Sequence, residues 1–110
     1  MNLNKSFVYI VADPSHEHLI TGYASNLIKK IKSQRKNKKS QFNQSLIRRK
    51  LVYYEIFDEI SSAVVRERAL QEWELRQKIN LINNLNPDWE DLTQEIMCKA
   101  YLLGCGSLLL

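Results

Sequence analysis

Residues 51–73, LVYYEIFDEISSAVVRERALQEW, decide the fold. Leu51–Phe57 is a run of β-branched and aromatic side chains broken by a single acid, which predicts a strand. Asp58 can offer a carboxylate to the unpaired amides of a first helical turn, and beyond it the apolar spacing becomes helical. At 100° per residue, Ile60, Ala63, Val64 and Leu70 fall on one arc about 120° wide, the kind of stripe that faces a core. Glu67 lies near the centre of that arc. Burying an unpaired carboxylate costs several kcal/mol, so a cation, a hydrogen-bond network or a metal ion must compensate. Spacing alone leaves two solutions open. A base such as Arg48 or Arg66 pairs with Glu67 at a wet helix edge, or Glu67 belongs to a metal or catalytic site.

Working outward, Phe7–Ala12 (FVYIVA) predicts an earlier strand, and Asp13-Pro14-Ser15 a turn. His18–Ala24 (HLITGYA) predicts a second strand that pairs with the first as a hairpin, with Gly22 marking a bulge or a close backbone approach. Ser25 is suited to cap a helix from Asn26 to about Gln34. A basic linker follows from Arg35 to Gln44. Beyond the central stretch, Leu75, Ile79, Ile82 and Leu85 recur at helical spacing, and Asn86-Pro87 ends that helix because the residue before proline avoids the helical region. Trp89 and Leu92 are placed to fold the chain back on the core. The order ββαβαα predicts an α+β fold with a small antiparallel sheet covered by helices.

With 110 residues, 45% of them hydrophobic and 25% charged, the chain has the composition of one globular domain. Cys98 and Cys105 match no zinc spacing and make no disulfide framework, and residues 1–12 lack the long apolar run of a signal peptide; a cytoplasmic protein is expected. The net charge of +4 hides an asymmetry. Ten of the sixteen Lys and Arg residues are Lys29, Lys30, Lys32, Arg35, Lys36, Lys38, Lys39, Arg48, Arg49 and Lys50, in a stretch with no acid. So dense a block suits a polyanion such as a phosphate backbone, although a solvated basic loop or an anionic membrane surface would also fit. Lys29, Lys32, Arg35, Lys36, Lys38, Lys39, Arg48 and Arg49 are the expected DNA contacts.

The segment Lys50–Leu92 (KLVYYEIFDEISSAVVRERALQEWELRQKINLINNLNPDWEDL) resembles the back half of small stand-alone bacterial proteins of the GIY-YIG nuclease superfamily, of the UPF0213-like kind. In the front half, Val8-Tyr9-Ile10 falls where the first family motif sits and Ile20-Thr21-Gly22 where the second sits. The resemblance spans about Phe7 to Leu92. It implies a three-stranded antiparallel sheet flanked by helices, and hydrolysis of a DNA phosphodiester with one Mg²⁺ or Mn²⁺ held by a single glutamate. A hard cation takes oxygen ligands and neutralises developing charge. By the resemblance, Glu67 stands at the metal-ligand position, Tyr9 at the first-motif tyrosine, Lys30 at the position of the phosphate-stabilising arginine, and Asn86 at the polar residue that closes the site.

Thr21 stands where the second motif has an isoleucine, although Gly22 is kept, and three side chains expected to do the chemistry are replaced. Ile20 stands where the second-motif tyrosine is expected, and an aliphatic side chain moves no proton. Lys30 lacks the bidentate fork of an arginine. Gln34 replaces a histidine and does not titrate near neutrality. Losing one transition-state contact typically costs on the order of 10²–10³ in rate, and such losses within one unit do not add simply. The resemblance with its departures therefore implies a weakened endonuclease or, as the alternative, a DNA-binding member that no longer cuts. A third reading is a structural domain that self-associates through residues 93–110 (TQEIMCKAYLLGCGSLLL), a leucine-rich tail too short and too interrupted to span a bilayer. A short helix from Gln94 to Leu103 is expected there, packed on the domain (residues 1–92) or on a second copy.

Overall fold

Every residue of the first strand, β1 (Ser6–Ala12), is buried. The computed structural model describes residues 5–25, 27 and 49–102, and in it β1 is the central strand of a three-stranded antiparallel sheet. The hairpin partner β2 (Leu19–Ala24) lies on one side and β3 (Lys50–Phe57) on the other. A strand covered on both faces reads as a continuous apolar run rather than an alternation, which is what FVYIVA supplies. Helices α1 (Ile60–Gln71), α2 (Leu75–Leu85) and α3 (Thr93–Leu102) complete the described elements. The fold is α+β, as the sequence predicts. The helix expected over residues 26–34, the basic linker, and residues 103–110 lie outside the described residues, apart from buried Leu27.

Alternation along β1 separates two cores. Phe7, Tyr9 and Val11 join Ala24, Leu27, Leu51 and Ile96 on one face. On the other, Ile10 and Ala12 meet Val52, Tyr53 and Ile82 of α2, while Val8 meets Ala63 and Leu70 of α1. Between Ile10 and Val11 the register with β3 jumps from Tyr53 to Leu51, so Val52 is an extra residue in a bulge. Both Val52 and Tyr53 consequently serve the α2 face. Ile96 is fully buried, and the Leu92 amide donates to the Leu51 carbonyl at 2.8 Å. Helix α3 therefore packs on the sheet, and the core extends past residue 92.

Two expectations about α1 are corrected. Asp58 is not its cap: Glu59 occupies that position without a side-chain bond, and Asp58 pairs with Lys5 instead. Lys5, remote in sequence, offers the carboxylate a full charge rather than a backbone amide, and holds its pKa below the ordinary value. The buried stripe of α1 is also rotated from its predicted axis. Ala63 and Leu70 are fully buried, whereas Ile60 is 46% exposed. On a helical wheel, Arg66 and Glu67 then lie about 50° to either side of the buried axis, on its two shoulders.

Asp13 organises the β1–β2 hairpin. Its carboxylate accepts bonds from the Glu17 and His18 amides, the Ser15 hydroxyl and His18 Nδ1, the last at 2.8 Å. The His18 bond is the main cause of a carboxyl pKa held well below the usual range. Such an acid stabilises the fold above its unfolded pKa, near 3.9, and that stability is lost as pH falls through the folded value. Asp13→Asn should therefore cost stability at pH 7, with the gap from the wild type narrowing below about pH 4; urea unfolding of both proteins at pH 7 and 3 checks it, and a gap independent of pH would refute it.

Gly22 on β2 pairs with Tyr9, and a Cβ there would stand 2.5 Å from the Tyr9 hydroxyl oxygen and 2.7 Å from Cζ. The tyrosine ring is itself 3% exposed, so it has little room to withdraw. Gly22→Ala should thus destabilise the domain by about 1–3 kcal/mol through overpacking, read as a lower urea midpoint; an unchanged midpoint would mean that the ring moves freely.

Candidate functional site

Two of the expected site residues, Glu67 and Tyr9, reach β2, an edge strand of the sheet among the described residues. The Asp13 amide donates to the His18 carbonyl, and ladder bonds alternate from pair to pair in an antiparallel hairpin. Counting along the register, Val11/Ile20 and Tyr9/Gly22 are bonded pairs while Ile10/Thr21 is not. The Thr21 carbonyl thus points away from β1, toward the outside of the sheet. Gln71, at the end of α1, reaches down and donates Nε2–H to it at 3.0 Å. The same nitrogen donates to Glu67 Oε2 at 3.0 Å. Glu67 is half-buried and hangs beside the edge of β2 from the α1 face.

Tyr9 approaches the same stretch of β2 from the opposite face. Its ring crosses Gly22, where the missing Cβ makes the space. The metal-ligand candidate and the first-motif tyrosine therefore reach adjacent residues of one edge strand, Thr21 and Gly22, from its two faces. Ile20 shares the Tyr9 face through its pairing with Val11, and is 39% exposed. Lys30 and Gln34 lie outside the described residues, as do Lys29, Lys32, Arg35, Lys36, Lys38, Lys39 and Arg48. Arg49 is described: burial lowers its pKa, against the opposing pull of the Asp13 charge. Part of its charge is thus already balanced inside the protein.

One base foreseen as a partner for Glu67 is engaged elsewhere, and the other, Arg48, lies outside the described residues. Arg66, on the other shoulder of α1, donates Nε and Nη2 to the Glu55 carboxylate at 3.0–3.1 Å and lies over the Trp73 ring. Tyr53 donates its hydroxyl to the same Glu55. Burial and the adjacent Glu55 push the Tyr53 phenol well above its usual pKa, and Glu55 raises that of Arg66. This network ties α1 to β3 and holds Arg66 on the shoulder opposite Glu67.

Asn86 stands apart. Its amide nitrogen donates to the Val52 and Glu90 carbonyls at 3.1 and 2.9 Å, and its oxygen accepts from the Glu90 amide at 3.0 Å. The side chain is buried and brackets the turn after α2 against β3. Since β1 separates β3 from β2, Asn86 lies about two strand spacings, roughly 10 Å, from the Thr21 edge. Its amide is committed to the turn rather than to Glu67. His16 and His18 belong to the hairpin, His16 stacking on Trp89 at 4.7 Å.

Gln71 was missed by sequence reasoning, and Thr21 was noted only as part of the second motif. Gln71 stands one turn after Glu67, the spacing at which helical side chains interact, and was legible on that ground. Thr21 is 6% exposed and its hydroxyl makes no hydrogen bond among the described residues. The Glu67 carboxylate beside the sheet edge supplies hard oxygens. No group of three His, Cys, Asp or Glu residues that could hold a metal occurs among the described residues. Those oxygens suit a cation such as Mg²⁺, which keeps most of its waters and takes one or two protein carboxylates.

Comparison with known proteins shows the family. Residues 5–80 match the family model of the GIY-YIG catalytic domain, a span that takes in Tyr9, Thr21, Gly22 and Glu67 and ends before Asn86. The chain is 31% identical over 91 residues to the UPF0213 protein CPE1444 of Clostridium perfringens, covering 83% of this chain and 97% of that relative. No solved structure matches it. No helix among the described residues is long and apolar enough to cross a membrane. The chain belongs to the GIY-YIG family, as a UPF0213-like member.

Proposed function

We propose that this nuclease-like protein is a weakened, divalent-metal-dependent DNA endonuclease in which Glu67 holds one Mg²⁺ or Mn²⁺ at the edge of β2. The observation that carries this reading is a half-buried carboxylate whose described partner is a neutral amide, itself bonded to the Thr21 carbonyl of the sheet edge. When bound, the ion activates water and offsets charge that develops on the phosphate. Glu67 fixes the ion's place against the sheet. Tyr9, held by packing across Gly22, orients the attacking water or the scissile phosphate from the other face. Lys30 supplies a positive charge to that phosphate, and the block from Lys29 to Arg48 holds the duplex backbone. Asn86 acts at a distance, by setting the turn that follows α2. Cytoplasmic location fits a DNA substrate and belongs to the same proposal.

Weakening follows from Ile20. Its side chain is partly exposed on the Tyr9 face, where the second tyrosine of the pattern would present a hydroxyl. The same observation favours the second reading, a member that binds DNA without cutting it. Plasmid nicking in Mg²⁺ or Mn²⁺ separates the two. The wild type is expected to nick slowly, Glu67→Ala to lose on the order of 10² or more of that rate, and Ile20→Tyr to gain at least about tenfold. Equal nicking by the wild type and Glu67→Ala would remove the endonuclease reading. In that case, duplex affinity that falls steeply with salt would support binding alone.

A further inference from the structure

Gln71 occupies an unusual place relative to Glu67. A surface glutamate on a helix ordinarily samples several rotamers. Here the two hydrogens of one amide nitrogen serve two acceptors, the Thr21 carbonyl and Glu67 Oε2, both at 3.0 Å. The first bond fixes the amide to the sheet edge, so the second fixes the carboxylate to the sheet as well as to its own helix. The donor is also neutral. A lysine or arginine there would orient Glu67 equally well while cancelling the charge that attracts a cation. Arg66, adjacent in sequence, is drawn to the other shoulder of α1 by its bidentate bond to Glu55.

We propose that Gln71 is the positioning residue of the metal site, holding Glu67 against Thr21 in the orientation that receives the ion while leaving its charge intact. This rests on Glu67 being the ion's ligand. Partners that orient metal ligands typically contribute 10–100-fold in metal affinity. A residue that only shields the outward-facing edge of β2 would contribute to stability and nothing to affinity.

The test is Mn²⁺ binding to the full chain, followed by the loss of the free-ion electron paramagnetic resonance signal, with thermal midpoints measured in parallel. Four proteins are compared: wild type, Glu67→Ala, Gln71→Met and Gln71→Lys. Methionine keeps the length and removes both donated bonds, so Mn²⁺ should bind 10–100-fold more weakly. Lysine retains donors for both acceptors and so preserves the fold even if methionine does not, but its charge opposes the ion; a loss at least as large is expected. Wild-type affinity in either folded Gln71 variant, with Glu67→Ala still impaired, overturns the positioning role and leaves the metal ligand standing. Equal binding by the wild type and Glu67→Ala instead removes the ligand assignment, and this inference with it.

Discussion

The outward-facing carbonyl of Thr21 is the constraint on which the arrangement turns. Backbone acceptors on an edge strand need partners, and an unprotected edge invites pairing with other chains. In this fold the partner is a side chain from the end of α1, and the bond brings the adjacent turn of that helix, with Glu67, over β2. Gly22, the next residue of the strand, lets Tyr9 cross from beneath. Two neighbouring residues thus align a carboxylate from one face of the sheet with a phenol from the other.

That alignment depends on how α1 is rotated. Ala63 and Leu70 set the helix on Val8 of the central strand, leaving Arg66 and Glu67 on opposite shoulders. Arg66 reaches β3 and Glu67 reaches β2. Like the bond from Gln71, the Arg66–Glu55–Tyr53 cluster fixes this rotation. A helix turned toward Ile60 would have buried the carboxylate outright, at a cost a half-buried, hydrogen-bonded group avoids. The fold gives Glu67 a shoulder of the helix rather than the core.

Much of this was legible in the sequence. The expected strands at 7–12, 18–24 and 51–57 each lie within a residue of the observed limits, and the helix Leu75–Leu85 coincides with its observed span. These elements depend on local pattern. What escaped depends on partners far along the chain: Asp58 taken by Lys5, Arg66 taken by Glu55, the bulge at Val52, and the bond from Gln71 to Thr21 fifty residues away. Glu67 drew notice through its place on the helical wheel, but which way the helix turned was set by the sheet beneath it. Asn86 was named through the family resemblance, whereas its three backbone bonds appear only when the turn is closed.

In the proposed function a single carboxylate, steadied at the edge of β2, receives one divalent cation. Crystals of the wild-type protein soaked in Mn²⁺ and measured for anomalous scattering test it most directly. One strong peak is expected at about 2.0–2.3 Å from a Glu67 carboxylate oxygen, a hard-cation distance, beside Thr21. A map with no peak at Glu67, its carboxylate still bonded to Gln71 while Mn²⁺ occupies another site, would contradict it.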